Sequence, residues 1–278
     1  MSSGFLIYGY NNDKVDYTDI ALCNALMIRA NSSEKKVTLV TDENSVEWLI
    51  KKRGNLVKTF DQIILHDGGE TQTRRFNDTM KASHRLLWRN RARADAYHLS
   101  PYDETMMIDA DYLIMDNTLD AVWSSYADVM ANKTAISLKH EPLHENEQRL
   151  EPYGIPLYWA TSVFFRKTPL AERFFGMVEN IRNHYNYYQQ IYHFPGSLYR
   201  NDYSFSIAAH VLKHNVFQLP YPTMMVAGEN DDLINVAKND FTFVSEDGTL
   251  ARIRDFNIHV MNKFAIMRNA DYIIEEYQ

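Results

Sequence analysis

Apolar and polar positions alternate in blocks along the first third of the chain. Gly4-Phe5-Leu6-Ile7-Tyr8 is a short apolar run that ends in the polar loop Asn11-Asn12-Asp13, and residues 19–30 then carry apolar side chains at helical spacing. Lys36 to Thr41 reads as the next strand, Val46 to Lys52 as a helix stopped at Gly54, and Phe60 to Leu65 as a third strand. Strands separated by helices predict a parallel sheet. Beyond Asp67-Gly68-Gly69 the pattern predicts a long helix over 78–98, ending before Ser100-Pro101 because proline disfavours helix in the residue preceding it. Thr105 to Ile108 is a short, buried-type strand that runs into Asp109-Ala110-Asp111 and then the apolar Tyr112 to Met115.

The second half continues the pattern in mixed order. Ala135 to Leu138 and Val163 to Phe165 are strand candidates, and 170–184 and 204–214 are helices. Phe217 to Pro220 is extended, and 241–258 folds back as a hairpin about Asp247-Gly248. Repeats, low-complexity tracts and long linkers are absent from the sequence, so one α/β domain accommodates all 278 residues, with a central mixed, mostly parallel sheet flanked by helices. The 45% hydrophobic content, with only ten glycines and eight prolines, supports a large core and excludes disordered and fibrous classes.

Charge and cysteine usage narrow the function. A net charge of -7 has the wrong sign for a general nucleic-acid coat. The single cysteine, Cys23, can form neither an internal disulfide nor a thiolate zinc site, and nothing asks for an oxidising compartment. The N-terminus lacks a signal-peptide pattern and no apolar run approaches the ~20 residues needed to cross a bilayer. A soluble, cytoplasmic protein is expected.

Three groups of residues carry chemistry. Asp109 and Asp111 stand two residues apart at the end of an apolar strand, where ligands of open α/β sheets bind; two carboxylates there repel unless a cation lies near, and Mg²⁺ or Mn²⁺ commonly joins such groups to phosphates. Upstream, residues 74–93 contain seven basic side chains against Asp78 alone, with Arg85, Arg89 and Arg93 four apart and so on one stripe of the expected helix. Arginine suits phosphate oxygens. Within this segment Arg74, Arg75 and Lys81 read as a solvated face, whereas Arg93 does not. Near the C-terminus, His259 follows an apparent strand and Lys263 comes four residues later; an imidazole can complete an Asp-Asp metal site and a lysine can neutralise phosphate. Taken alone, each group also has a structural reading, as turn caps, surface pairs or a hydrogen-bonded histidine.

Together the stretch from Arg93 to Asp116, with its Ser100-Pro101-Tyr102-Asp103 turn, apolar strand and D-x-D, resembles nucleotide-sugar glycosyltransferases of the GT-A fold, in arrangement glycosyltransferase family 8, which includes glycogenin. The resemblance implies that Asp109, Asp111 and His259 hold Mn²⁺ (or Mg²⁺) on a nucleotide diphosphate, with Arg89, Arg93, Ala110 and Lys263 binding the donor. Tyr8-Gly9-Tyr10-Asn11 resembles the family's base-binding segment, so Tyr8, Tyr10 and Asn11, with Thr41 as a neighbour, are expected at a uracil. Trp159 to Phe165 and Asn201-Asp202-Tyr203 occupy the places of two further family motifs, with Ala160 and Ser162 replacing the family's Asn and Gly. The terminal His-x-x-Gly-x-x-Lys is shortened to His259 and Lys263.

The activity so implied is transfer of a sugar from a UDP-sugar to an acceptor hydroxyl with retention. Asp202 is the candidate catalytic group, its alternative being a helix N-cap. Residues 1–116 would form the nucleotide-sugar half and 117–278 the acceptor half with a C-terminal metal and diphosphate segment. A saccharide or glycolipid is the expected acceptor, with Tyr185, Tyr187, Tyr188, Tyr192 and Tyr199 as a stacking surface or plain core. A hydroxymethylated DNA base is the less favoured acceptor. A sugar-nucleotide nucleotidyltransferase and an inactive carbohydrate-binding relic are the alternatives from other classes.

Overall fold

The structure is a computed structural model that describes residues 1–143, 149–150, 154–196, 198–213, 216–220 and 224–278. The N-terminal half runs β1 (Ser3–Tyr8), α1 (Tyr17–Asn31), β2 (Val37–Thr41), α2 (Glu43–Arg53), β3 (Gln62–Leu65), β4 (Gln72–Asp78), β5 (Ala82–Trp88), α3 (Ala96–Leu99), β6 (Glu104–Asp109) and β7 (Tyr112–Leu113). It continues through β8 (Val129–Asn132), β9 (Ile136–Ser137), β10 (Trp159–Arg166), α4 (Pro169–Asn183), α5 (Tyr185–Tyr192), α6 (Asn201–Val211) and β11 (Phe217–Gln218). The last part holds β12 (Met225–Ala227), β13 (Asp232–Ala237), β14 (Asp240–Val244), β15 (Leu250–Arg254), β16 (Ile258–Val260) and α7 (Lys263–Tyr277).

Among the described residues, seven strands form the central sheet in the order β11-β8-β10-β6-β1-β2-β3. β6, β1, β2 and β3 are mutually parallel, as the strand-helix alternation predicts, while β10 runs antiparallel to both β6 and β8. Side chains alternate across the sheet. Phe5, Ile7, Met106 and Ile108 enter a core shared with α1 and α7; Leu6, Tyr8, Met107 and Phe165 enter another shared with α4 and α6. Both cores are dense in aromatic rings, so much of the tyrosine and phenylalanine content is packing.

Helix ends follow their sequence signals. Asp16 and Asp42 cap α1 and α2 by accepting from Asp19 N and Ser45 N, and Gly54, at φ 54°, terminates α2 as its missing Cβ permits. The expected helix 204–214 instead spans Asn201–Val211, and His214 lies outside the described residues. Asp202 is therefore inside the first turn of α6, and the cap position belongs to Arg200.

The expected helix over 78–98 is not formed. β4 and β5 pair as an antiparallel hairpin with Arg75 opposite Arg85, followed by a 3-10 turn at Arg91–Asp95 and the short α3. Phe76 and Leu86 are buried while Thr73, Arg75, Arg85 and Leu87 are exposed. The arginine spacing of four misleads because four is close to a helical turn and is also two strand repeats. Burial alternates along β5, with Leu86 inward and Arg85 and Leu87 outward, but the sequence there is three polar residues followed by three apolar ones and shows no strand alternation. Two further departures follow. Residues 135–138 contribute β9 to a separate small sheet ordered β7-β16-β12-β9, and the expected terminal hairpin is the β14-β15 part of a three-stranded meander, with β16 outside it.

Three helices are tied together by one buried carboxylate. Asp19 on α1 is 1% exposed and accepts from Arg53 Nε at 2.5 Å, Arg53 Nη2 at 2.7 Å and Lys52 Nζ at 2.7 Å, while Arg53 also reaches Asp271 on α7 at 2.6 Å. Removing one partner strands the buried part of the other charges. We expect Asp19→Ala to lower unfolding free energy by about 3 kcal/mol in a urea titration; a loss below about 1 kcal/mol, the level of a surface pair, would show that solvent replaces the network.

Candidate active site

β6 delivers Asp109 at its carboxyl end, in register with Tyr8 at the end of β1. The chain then turns through Ala110-Asp111 into β7. This turn is held by Asn24, a fully buried residue of α1 whose amide donates to the carbonyl of Tyr112 at 2.6 Å and accepts from Ile114 N at 3.1 Å. β16 lies antiparallel to β7 with His259 opposite Tyr112, and Val260 N donates to the Asp111 carbonyl at 2.9 Å. Strand pairing thus brings residues 150 positions apart to one point. α7 begins at once, capped by Asn262, and projects Lys263 at the same place.

Asp109, Asp111 and His259 each offer a ligand atom, and these atoms lie within 4.8 Å of one another. His259 Nε2 is 3.4 Å from Asp111 Oδ2 and 4.0 Å from Asp109 Oδ2. Lys263 Nζ bonds Asp111 Oδ2 at 2.6 Å, and Arg93 forms an ion pair with Asp109. Burial pushes the Asp109 carboxyl up to about 6, with Arg93 opposing and the Asp111 charge adding to the rise. Burial acts the same way on Asp111, but the Lys263 ammonium and His259 outweigh it and hold that carboxyl well below its ordinary value. The two acids therefore occupy different electrostatic environments.

Two cavities meet here. One, of about 420 Å³, is lined by Tyr8, Tyr10, Tyr17, Trp88, Arg89 and Arg93, among others, with Ala110 and Asp111 at its floor. The other, of about 680 Å³, holds Arg93, Asp109, Asp111, Asp202, His259 and Lys263. Asp202 Oδ1 accepts from Ala160 N at 2.9 Å and its Oδ2 pairs with Arg200 at 3.0 Å. Burial raises the Asp202 carboxyl, yet Arg200 and the Ala160 N–H hold it below its usual value. It is an ionised carboxylate facing the cleft.

Of the residues expected from the sequence, the structure brings ten together around these cavities: Tyr8, Tyr10, Arg89, Arg93, Asp109, Ala110, Asp111, Asp202, His259 and Lys263. Asn11 and Thr41 are not among them. Asn11 bonds Thr18 and Ser45 and borders a neighbouring groove, while Thr41 is a fully buried end of β2. Of the tyrosine group, Tyr185 and Tyr199 are core residues packed edge to face with ring centres 5.0 Å apart, and Tyr187 is exposed. Arg74, expected on a solvated face, lines the cleft because the hairpin folds it inward; Tyr17, Trp88, Trp159 and Arg200 join it there. Trp88 had no signal beyond its place in the basic segment. Tyr17, at the start of α1, had none.

The basic segment 74–93 does not present a helical face. Arg74, Arg89, Arg91 and Arg93 pair with Glu229, Asp42, Glu70 and Asp109. Among the described residues no helix is long and apolar enough to cross a membrane.

No protein-family model and no curated protein sequence matches the chain. Solved structures do. An active-site mutant of LgtC aligns over 81% of this chain and 75% of that one, at 12% identity and a TM-score of 0.50. Mouse xyloside xylosyltransferase 1 aligns over 82% of this chain and 88% of that one, at 11% identity and 0.49. The glycosyltransferase GlyE of Streptococcus pneumoniae aligns over 78% of this chain at 14% identity and 0.44, and the chain spans only 45% of GlyE. The LgtC likeness is one of fold: the central mixed, mostly parallel sheet flanked by helices is that of GT-A glycosyltransferases.

The Lys263–Asp111 bond generates an expectation independent of any ligand. A carboxyl held below its unfolded value stabilises the fold above about pH 4 and loses that contribution as pH falls. Without the ammonium, burial raises Asp111 instead. Lys263→Met should therefore cost about 3 kcal/mol at pH 7, with the deficit shrinking toward acid pH as Asp111 takes up a proton; chemical denaturation at several pH values measures it.

Proposed function

We propose that the chain is a metal-dependent glycosyltransferase that moves a sugar from a nucleoside diphosphate sugar, expected to be UDP-linked, to an acceptor hydroxyl. The observation that carries this reading is the buried Asp109-Asp111-His259 group at the carboxyl end of β6, opening onto an aromatic pocket in a GT-A fold. The donor set suits a divalent cation: two carboxylate oxygens are hard ligands, and an imidazole is accepted by Mn²⁺ more readily than by Mg²⁺. When bound, such a cation supplies Lewis-acid stabilisation to the leaving diphosphate.

The chain's own residues supply the rest. Tyr8, Tyr10 and Trp88 offer ring faces to a planar base. Arg93 and Lys263 place two positive charges beside the Asp pair, where the nucleotide's diphosphate builds negative charge as the glycosidic bond breaks. Asp202, ionised, fixed by Arg200 and the Ala160 N–H and lining the cleft, is the candidate carboxylate to act at the anomeric carbon, and the family resemblance implies retention. The donor side draws on residues 1–116, and the remainder, with Trp159 and Arg200 on the cleft wall, offers the acceptor side to a saccharide or glycolipid. His259 and Lys263 cross that division.

The test has two arms. With Mn²⁺ present, UDP should raise the melting temperature more than GDP or TDP, a hundredfold excess over Kd corresponding to about 2.7 kcal/mol. Hydrolysis or transfer from the matching sugar nucleotide should fall by about a hundredfold or more in Asp111→Ala. Equal rates in the two proteins, or none in either, would overturn the assignment.

A further inference from the structure

We infer that the Tyr17 hydroxyl, together with the Arg74 guanidinium, donates hydrogen bonds to the phosphate oxygens of the nucleotide, forming a clamp that faces the Asp pair; this rests on the function proposed above. Tyr17 is the first residue of α1, directly after the Asp16 cap. The helix start lies unusually close to the end of β1, since a Cβ on Gly9 would sit 3.0 Å from the Tyr17 carbonyl oxygen. Glycine at that position lets the two segments touch and carries the phenol over the strand ends.

The Tyr17 hydroxyl is buried, and no hydrogen-bond partner for it exists among the described residues. A hydroxyl left in that state costs roughly 1–3 kcal/mol, which a purely structural tyrosine avoids by packing as phenylalanine or by finding a partner. Asp111, Arg74, Asp109 and Arg93 are the charged groups that act on it. Tyr17 also lines both cavities, the aromatic pocket and the acidic cleft. A molecule with its base in the first and its diphosphate in the second must pass this residue. Both carboxylates already have cationic partners, so the phenolic proton is left for an incoming anion.

Arg74 supplies the second donor. Its guanidinium lies 4.9 Å from the centre of the Trp88 ring and 5.6 Å from that of Phe76, and one nitrogen reaches Glu229 at 3.3 Å. Stacking on two rings fixes the plane of a group whose five N–H donors match phosphate oxygens. The clamp thus draws on α1 and on the hairpin, both outside the D-x-D segment.

The experiment compares the wild-type chain with Tyr17→Phe and Arg74→Met by calorimetry, using UDP, GDP and TDP with Mn²⁺, each beside its nucleoside. For the diphosphate that binds, Tyr17→Phe should raise Kd by about tenfold or more, the worth of a hydrogen bond to a charged group, and leave nucleoside binding unchanged. Its ligand-free melting temperature should hold or rise, because the ring stays and the unpartnered hydroxyl goes. Arg74→Met should show the same selective loss. Diphosphate affinity within twofold of wild type in Tyr17→Phe, or equal weakening of nucleoside and diphosphate, overturns the clamp alone. Failure of the wild-type chain to bind any of the three diphosphates overturns the proposed function with it.

Discussion

Two aspartates that share a strand end and are nearly sealed from water set the terms for the rest of the molecule. Asp109 and Asp111 have side chains only 14% and 6% exposed, and each sits against a cation delivered from a distant part of the chain. Taking one charge out of water costs several kcal/mol, so an uncompensated pair would not survive burial. The compensation explains why β16 must lie along β7, why α7 must begin at Lys263, and why the short 3-10 turn after the hairpin must present Arg93. The backbone turn between the aspartates is held from the other side by Asn24, which makes α1 part of the site's support as well as of the core.

The asymmetry of this pair gives the site its chemical character. Asp111 is the committed anion, held by an ammonium and an imidazole, whereas burial leaves Asp109 with a carboxyl raised toward neutrality despite Arg93. The hairpin β4-β5 completes the enclosure. It packs Phe76 and Leu86 into the core and turns Arg74 and Trp88 toward the cleft, so a segment whose composition looks like a solvated basic face is built as a wall. Arg74 of the hairpin pairs with Glu229, and Arg89, Arg91 and Arg93 just after it pair with Asp42, Glu70 and Asp109, while Arg75 and Arg85 are exposed.

Support for the site also comes from the surrounding helices. Asp19 gathers Lys52 and Arg53, and Arg53 in turn reaches Asp271, joining α1, α2 and α7. The helix that carries Asn24 and the helix that carries Lys263 are thus linked through α2 as well as at the cleft itself. Precision at the Asp pair is a property of this frame more than of any loop.

The strands of the parallel half were legible in the sequence, because a buried strand is a short apolar run and its helix is punctuated by Asp caps and Gly54. The D-x-D was legible for the same reason: at the end of an all-apolar run, the reading of two carboxylates as a ligand site outweighs their reading as turn caps. His259 and Lys263 could be named but not placed, since nothing local says that β16 pairs with β7. The hairpin was misread because an arginine spacing of four satisfies two periodicities, and only pairing between β4 and β5, with Phe76 and Leu86 turned inward, chooses between them. Tyr17 and Arg74 carried no legible signal at all; a tyrosine after a cap and an arginine in a basic run acquire meaning from the cavities they face. Local pattern therefore determined the elements and the acidic centre, while tertiary pairing decided which distant charges neutralise that centre and which buried donors surround it, because burial and charge compensation are properties of neighbours in space.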